Sequence, residues 1–305
     1  MERVYHYTSM DAFLKLLESI KDTSDKKSFA FWATNIFFLN DPQEYVYGQK
    51  ILLEVLKEIE FSKNVNYDLR LSSFFENDEN ELLNKLLDDI HKKNQSPYVI
   101  SFSRNEDSIP MWLNYGDRGK GICLAFAEYR SKFIDKNFDT NNINDLVVDI
   151  YDSLGTYDVR YKNFDDIDNH LRQNLDYMYD YYLKKVKTIP KKNIIELKLG
   201  MLRGLTMVHA PYIKTKYFEG EREVRLSKTN YSDKKDKPYE INFRTNAKGN
   251  IIPFIKVEIP TSQLDYVRIG PLADRDLSKK VIEMMKTKYR LKFNIVDSKV
   301  QYRDY

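Results

Sequence analysis

An α+β fold carrying a mainly helical insertion is what this sequence predicts, on three observations. Segments of two-residue alternation cluster toward both ends of the chain, segments with helical spacing lie among them, and no proline- or serine-rich linker divides the two kinds. At 305 residues the chain is long for one domain, yet one large domain with an insertion accounts for it. Residues 1–305 therefore read as a single α+β domain, with 128–210 as a mainly helical insertion.

The elements follow in order. Residues 3–8 (RVYHYT) read as a strand entering a helix capped by Ser9, with Met10, Phe13, Leu14, Leu17 and Ile20 at helical spacing. Phe29–Phe38 reads as a second strand, and Leu39-Asn40-Asp41-Pro42 as the turn before a helix over 43–60. A further helix is expected near 80–92. Strands over 98–103 and 119–127 flank a loop and short helical turn carrying Pro110, Trp112 and Tyr115. The 128–210 stretch turns rich in Lys, Asp, Asn and Tyr, with short strands near 145–151 and 157–161 and helices over 164–186 and 191–208. Its Tyr177, Tyr181 and Tyr182 form an aromatic face better suited to packing, or to a homodimer, than to a ligand. Beyond 220, strands over 221–228, 238–245 and 251–258 are joined by SDKKDK and NAKGN connectors, followed by a strand at 267–269, a helix to 289 and a last strand at 292–296.

Composition narrows the function. Lys plus Arg (49) nearly cancel Asp plus Glu (46), a balance that neither demands nor excludes a nucleic-acid partner. The single cysteine, Cys123, lies in the apolar run GICLAF and reads as buried. With no internal disulfide to form, no secretory n-region and no apolar run near the roughly 18 residues of a membrane helix, a cytoplasmic protein without membrane contact is expected. Four scattered histidines and the absence of H-E-x-x-H or C-x-x-C point away from a metal. No G-x-S-x-G elbow and no phosphate-binding loop of Walker or dinucleotide type occurs.

Three polar clusters remain: Tyr5-His6-Tyr7-Thr8-Ser9, Ser101-Phe102-Ser103 and Glu221-Arg222-Glu223-Val224-Arg225. On a strand, Glu221, Glu223 and Arg225 would share one face, setting two carboxylates roughly 7 Å apart. Burial and mutual repulsion would then raise the pKa of one of them. Taken singly, the plainer readings are a partly buried His6, a turn and helix cap at Asn40-Asp41, and an ion-pair ladder at Glu221, Glu223 and Arg225.

The HYT segment, the LNDP-x-E turn, the SFSRNEDSIPMW stretch, the EGEREVR strand and the closing SKVQYR together resemble a widespread bacterial domain family of unknown function, over nearly the whole chain except 128–210. Three of these pieces are also similar in type and order to the motifs of ADP-ribosyltransferases, namely a first-strand His, a Ser-x-Ser strand and a Glu-x-Glu pair. That resemblance implies a split, mixed or antiparallel sheet and a reaction on NAD as substrate, without a metal. It implies Glu223 opposing the charge of an oxocarbenium-like ribose and Glu221 orienting or deprotonating an acceptor. It implies further that His6 and Thr8 hydrogen-bond the dinucleotide, that Ser101 and Ser103 support its nicotinamide ribose or Glu223, that Tyr7, Trp112 or Tyr115 stack on its rings, that Asn40 and Asp41 reach the same cleft, and that Arg225 either pairs with Glu223 or contacts a phosphate. The acceptor would be a protein or nucleic acid, in the setting of a bacterial toxin or phage-defence effector. Two rival readings stay open: a metal-independent ribonuclease using His6, Glu223 and Arg225, and a non-enzymatic scaffold binding through the Lys-rich 184–192 segment and the Tyr-rich helix.

Overall fold

Alternation and a cap set the first two elements. Strand β1 (Arg3–Thr8) passes into helix α1 (Met10–Glu18) at Ser9, whose extended backbone and side-chain oxygen accept the Ala12 N–H. The computed structural model describes residues 2–22, 27–41, 43–74, 96–127, 156–161, 169–229, 239–246 and 248–301. The short β2 (Lys21–Asp22) pairs with β3 (Lys27–Asn35), which ends three residues before Phe38. Asn35 accepts the Phe37 N–H through its side chain and turns the chain into a 3-10 turn at Ile36–Phe38. Helix α2 (Glu44–Ser62) follows. Its Gly48 lies against the backbone of Ala210, where a Cβ would meet the Ala210 carbonyl oxygen at 2.5 Å. Only glycine lets α2 approach so closely.

Strand β4 (Pro97–Ser103) is the hub of the sheet. Along one edge it pairs over its whole length with β9 (Glu223–Thr229), antiparallel, setting Ser101 opposite Arg225 and Ser103 opposite Glu223. Its other edge is shared. β1 joins it at Tyr5↔Ser103, and β3 joins it at Thr34↔Val99 and Asn35↔Tyr98. Among the described residues no strand lies opposite Ile100–Phe102 on that edge, so the sheet divides there into two wings. One wing runs from β1 through β5 (Ile122–Ala127) and β12 (Leu264–Ile269) to the parallel β13 (Asn294–Asp297). The other runs from β3 through β11 (Ile251–Pro260) to β10 (Asn242–Thr245), which closes the hairpin expected at NAKGN. β6 (Thr156–Asp158) adds to the outer edge of β9, while β7 (Arg160–Tyr161) and β8 (Ile213–Lys214) pair separately. The result is a split, mixed sheet in an α/β protein.

Each face is covered by helices. α1 and α6 (Arg275–Lys288) close over Phe29, Phe31, Phe102, Leu124 and Phe126, each side chain contributing about 1.5–3 kcal/mol by leaving water. On the other face α3 (Ile109–Tyr115) packs Trp112 against Tyr7 and Cys123. Helices α4 (Asn169–Val186) and α5 (Ile194–His209), from the expected insertion, share one apolar cluster with α2 through Leu52, Val55, Leu56, Leu175, Tyr179, Tyr182 and Leu205. Tyr182 is fully buried and donates to the Leu69 carbonyl at 2.8 Å, so this part of the tyrosine face is packing. The expected helix at 80–92, the strand at 145–151 and the SDKKDK connector lie outside the described residues.

Candidate active site

A cavity of about 1080 Å³ opens where the sheet divides, slightly larger than the roughly 300–1,000 Å³ typical of small-molecule sites. His6, Thr8 and Ser101 line it from the division itself, Trp32, Thr34, Phe243 and Arg244 from the β3–β10 wing, and Tyr115, Lys214, Glu221, Glu223 and Arg225 from beneath β4 and β9.

His6 occupies the division. Its Nδ1 lies 2.9 Å from the Ser101 carbonyl oxygen, on the stretch of β4 whose β1/β3 edge has no opposing strand among the described residues. A carbonyl only accepts, so the proton resides on Nδ1 and Nε2 keeps its lone pair. The ring stands edge-on to Phe31 and Phe102, at 5.4 and 5.7 Å between centroids. Burial pushes its pKa below the ordinary histidine value and keeps the imidazole neutral. Pleating sets His6 on the face of Leu124, opposite to the face shared by Tyr5, Ser103 and Glu223. The gap between the wings nevertheless lets His6 and Glu223 line one cavity.

The carboxylates are arranged differently from a simple strand. Glu221 closes a 3-10 turn (Lys216–Glu221), Arg222 takes a left-handed backbone at φ 44°, and β9 begins only at Glu223. Strand alternation therefore does not relate Glu221 to Glu223; Lys214 of β8 does, with its Nζ 2.7 Å from Glu221 Oε2 and 3.1 Å from Glu223 Oε2. Arg225 shares the face of Glu223 and grips it with two bonds, Nε to Oε1 at 2.7 Å and Nη2 to Oε2 at 2.9 Å. Its Nη1 donates to the Pro211 carbonyl at 2.6 Å and pairs with Glu44 at the start of α2. Lys214 also reaches Glu44 at 3.5 Å. The expected rise in a carboxylate pKa does not occur at Glu223. Burial alone would raise it, but the charges of Arg225 and Lys214 prevail and hold it at about 2. The cluster sets three carboxyl side chains, Glu44, Glu221 and Glu223, against two basic ones, Lys214 and Arg225.

Four of the five members of this charged cluster lie within a recognisable stretch of sequence. Residues 111–226 match the model of an uncharacterised family, protein of unknown function (DUF2971). The DUF2971 match runs straight through 128–210, the part that the motif resemblance left out, and takes in Lys214, Glu221, Glu223 and Arg225. Glu44 and the His6 strand lie outside it. No curated protein and no solved structure matches the chain.

The remaining expected site residues separate into two groups. Tyr115 stays at the cavity, its hydroxyl donating to Glu221 Oε1 at 2.6 Å. Asn40 and Asp41 line the cavity too, and Asp41 Oδ1 accepts the Gln43 N–H at 2.9 Å just before α2, as a turn residue should. Ser101 faces the cavity and helps to lower the pKa of Glu223. Ser103 does not line it. It is fully buried, donating at 2.6 Å to the Glu221 carbonyl and accepting the Asn105 N–H, so it braces the turn that carries Glu221. Trp112 is likewise inside the core, 1% exposed, with Nε1 donating to Asp107 at 2.7 Å. Tyr7 touches the cavity, but its hydroxyl donates to the Asn105 carbonyl and accepts the Ser108 N–H, and its ring packs edge-on against Trp112. Neither ring offers a free stacking face of the kind expected. Further aromatic side chains line the cavity, among them Trp32, Phe38, Phe218 and Phe243, none of which was an expected site residue.

Among the described residues no three His, Cys, Asp or Glu side chains are placed to hold a metal ion, and no helix is long and apolar enough to cross a membrane. Cys123 is fully buried, and burial raises its thiol pKa well above the ordinary value.

Proposed function

We propose that the protein cleaves the nicotinamide–ribose bond of NAD and passes ADP-ribose to a macromolecule or to water. One observation carries the reading: His6, Ser101 and the Glu221–Glu223 pair, distant in sequence, open onto a single cavity at the division of the sheet. In the reaction the C1′–N bond breaks with its electron pair leaving on nicotinamide, and the ribose gains oxocarbenium character. Glu223, ionised at any physiological pH, supplies fixed negative charge to that transition state. Glu221 has the more accessible side chain of the two, 15% against 6%. It takes the proton that the attacking hydroxyl, amine or water loses as its bond to C1′ forms. His6 accepts a hydrogen bond from a ribose hydroxyl at Nε2. A toxin or phage-defence effector is the setting that fits such a reaction.

The test is incubation of the purified chain with labelled NAD and bacterial extract. Nicotinamide release with label on protein or nucleic acid is expected, falling roughly 100-fold or more in Glu221→Gln. His6→Ala should act mainly on the KM for NAD. RNA cleavage in NAD-free buffer, with no nicotinamide released, would replace this reading with the ribonuclease one.

A further inference from the structure

The cations that line the cavity differ in one respect. Lys214 and Arg225 are held by carboxylates, and Lys15 pairs with Asp11 at 2.7 Å. Arg244, on β10, has no carboxylate within ion-pair distance among the described residues. Its Nη2 donates to Thr34 Oγ1 at 3.0 Å, its Nε is buried without a hydrogen-bond partner, and its guanidinium lies 5.9 Å from the centre of the Trp32 ring. Trp32 is itself fixed by stacking on Phe254 at 4.7 Å. A half-buried guanidinium with neither a counter-charge nor full hydration is costly unless an anion completes it. Burial already lowers its pKa from the ordinary arginine value. Pairing places Arg244 on the same face of the sheet as Thr34, Val99 and Ser101. It thus overlooks the cavity from the β3–β10 wing.

We propose that Arg244, with Thr34 and Trp32, is an anion subsite of the cavity that receives the diphosphate of a dinucleotide. The planar fork of arginine suits two phosphate oxygens at once, and the Trp32 face holds the guanidinium level. The identity of the anion rests on the NAD reading above.

The experiment is calorimetric titration of the full chain with inorganic pyrophosphate, in the wild type and in Arg244→Gln, Arg244→Lys and Lys15→Gln. Binding to the wild type is expected, weakened roughly tenfold or more in Arg244→Gln and less in Arg244→Lys, with Lys15→Gln within about twofold of the wild type. Absence of binding to the wild type, equal affinity in Arg244→Gln, or an equal loss in Lys15→Gln overturns the subsite. Should Arg244→Gln fail to melt cooperatively, Arg244→Lys decides, and an unchanged affinity there is the overturning result. Arg244-dependent pyrophosphate binding without nicotinamide release from NAD would leave the subsite standing and remove the transferase reading. NAD turnover with pyrophosphate binding indifferent to Arg244 would do the reverse.

Discussion

Two arginines face one cavity under opposite conditions. Arg225, at the floor, is 1% exposed and spends its hydrogen bonds on Glu223, Glu44 and the Pro211 carbonyl. Arg244, on the wall, has among the described residues one hydroxyl partner and an aromatic ring. The first belongs to the fold: it ties β9, α2 and the turn after α5 together and fixes the ionisation of Glu223. The second contributes little to holding elements together and much to what enters from solvent. A site residue is thus recognised less by its charge than by whether the protein has already satisfied that charge.

The sharpest way to break this contrast is to remove each arginine in turn. Arg225→Met leaves Glu223 and Glu44 buried with Lys214 alone between them, and should cost about 3–5 kcal/mol in urea unfolding. Arg244→Gln should change stability by less than about 0.5 kcal/mol. Equal losses at the two positions would erase the distinction.

Acid titration sharpens the same comparison with a somewhat smaller effect. Glu223 drops from the ordinary 4.5 to about 2 on folding, so the unfolded chain takes up its proton first as pH falls. Its contribution is whole above pH 4.5 and is lost toward pH 2, about 3 kcal/mol in all. His209, lowered to about 4 by burial beside Arg160, adds a loss that starts higher, between pH 6.5 and 4. Urea midpoints measured from pH 7 to 2 should therefore fall in two stages. In Glu223→Gln, less stable throughout, the lower stage should flatten. A lower stage that persists unchanged would mean that the floor is not held by this carboxylate.

A smaller loss at the floor is expected in Tyr115→Phe, which removes the hydroxyl that bonds Glu221 and should cost about 0.5–1.5 kcal/mol. A larger loss would extend the fixed cluster of the floor to include Tyr115.

Local rules carried much of this architecture in the sequence. Ser9 as a cap, the alternation of β1, β4 and β9, and the NAKGN hairpin depend on neighbours within a few residues, and each appears where local chemistry puts it. Strand alternation failed at Glu221 because a 3-10 turn and a left-handed Arg222 interrupt the chain just before β9, an event the alternating pattern itself does not announce. Glu44 was within reach, since it is the acid that ends the LNDP-x-E signature and opens α2, but its burial against Arg225 depends on a strand some 180 residues later. Lys214 gave no signal at all. Nothing in its neighbourhood separates a buried bridging lysine from a solvated one, because the carboxylates that retain it arrive through the tertiary fold. Tyr7 and Trp112 failed as ligand-stacking candidates for a similar reason: aromatic residues beside a polar motif fill the core as readily as a pocket.

Where β1 leaves β4, the two strands are spanned by an imidazole rather than by a backbone ladder. Paired strands stand about 4.8 Å apart wherever they occur, a spacing no substitution alters. The His6 bridge has a length that belongs to one amino acid. Backbone pairing pins both wings to β4 on either side of it, at Tyr5↔Ser103 and at Thr34↔Val99, so a different side chain at this position would change what fills the gap and leave the ladders in place. A lineage of such proteins could retune the size of molecule it admits while every strand pairing stays as it is.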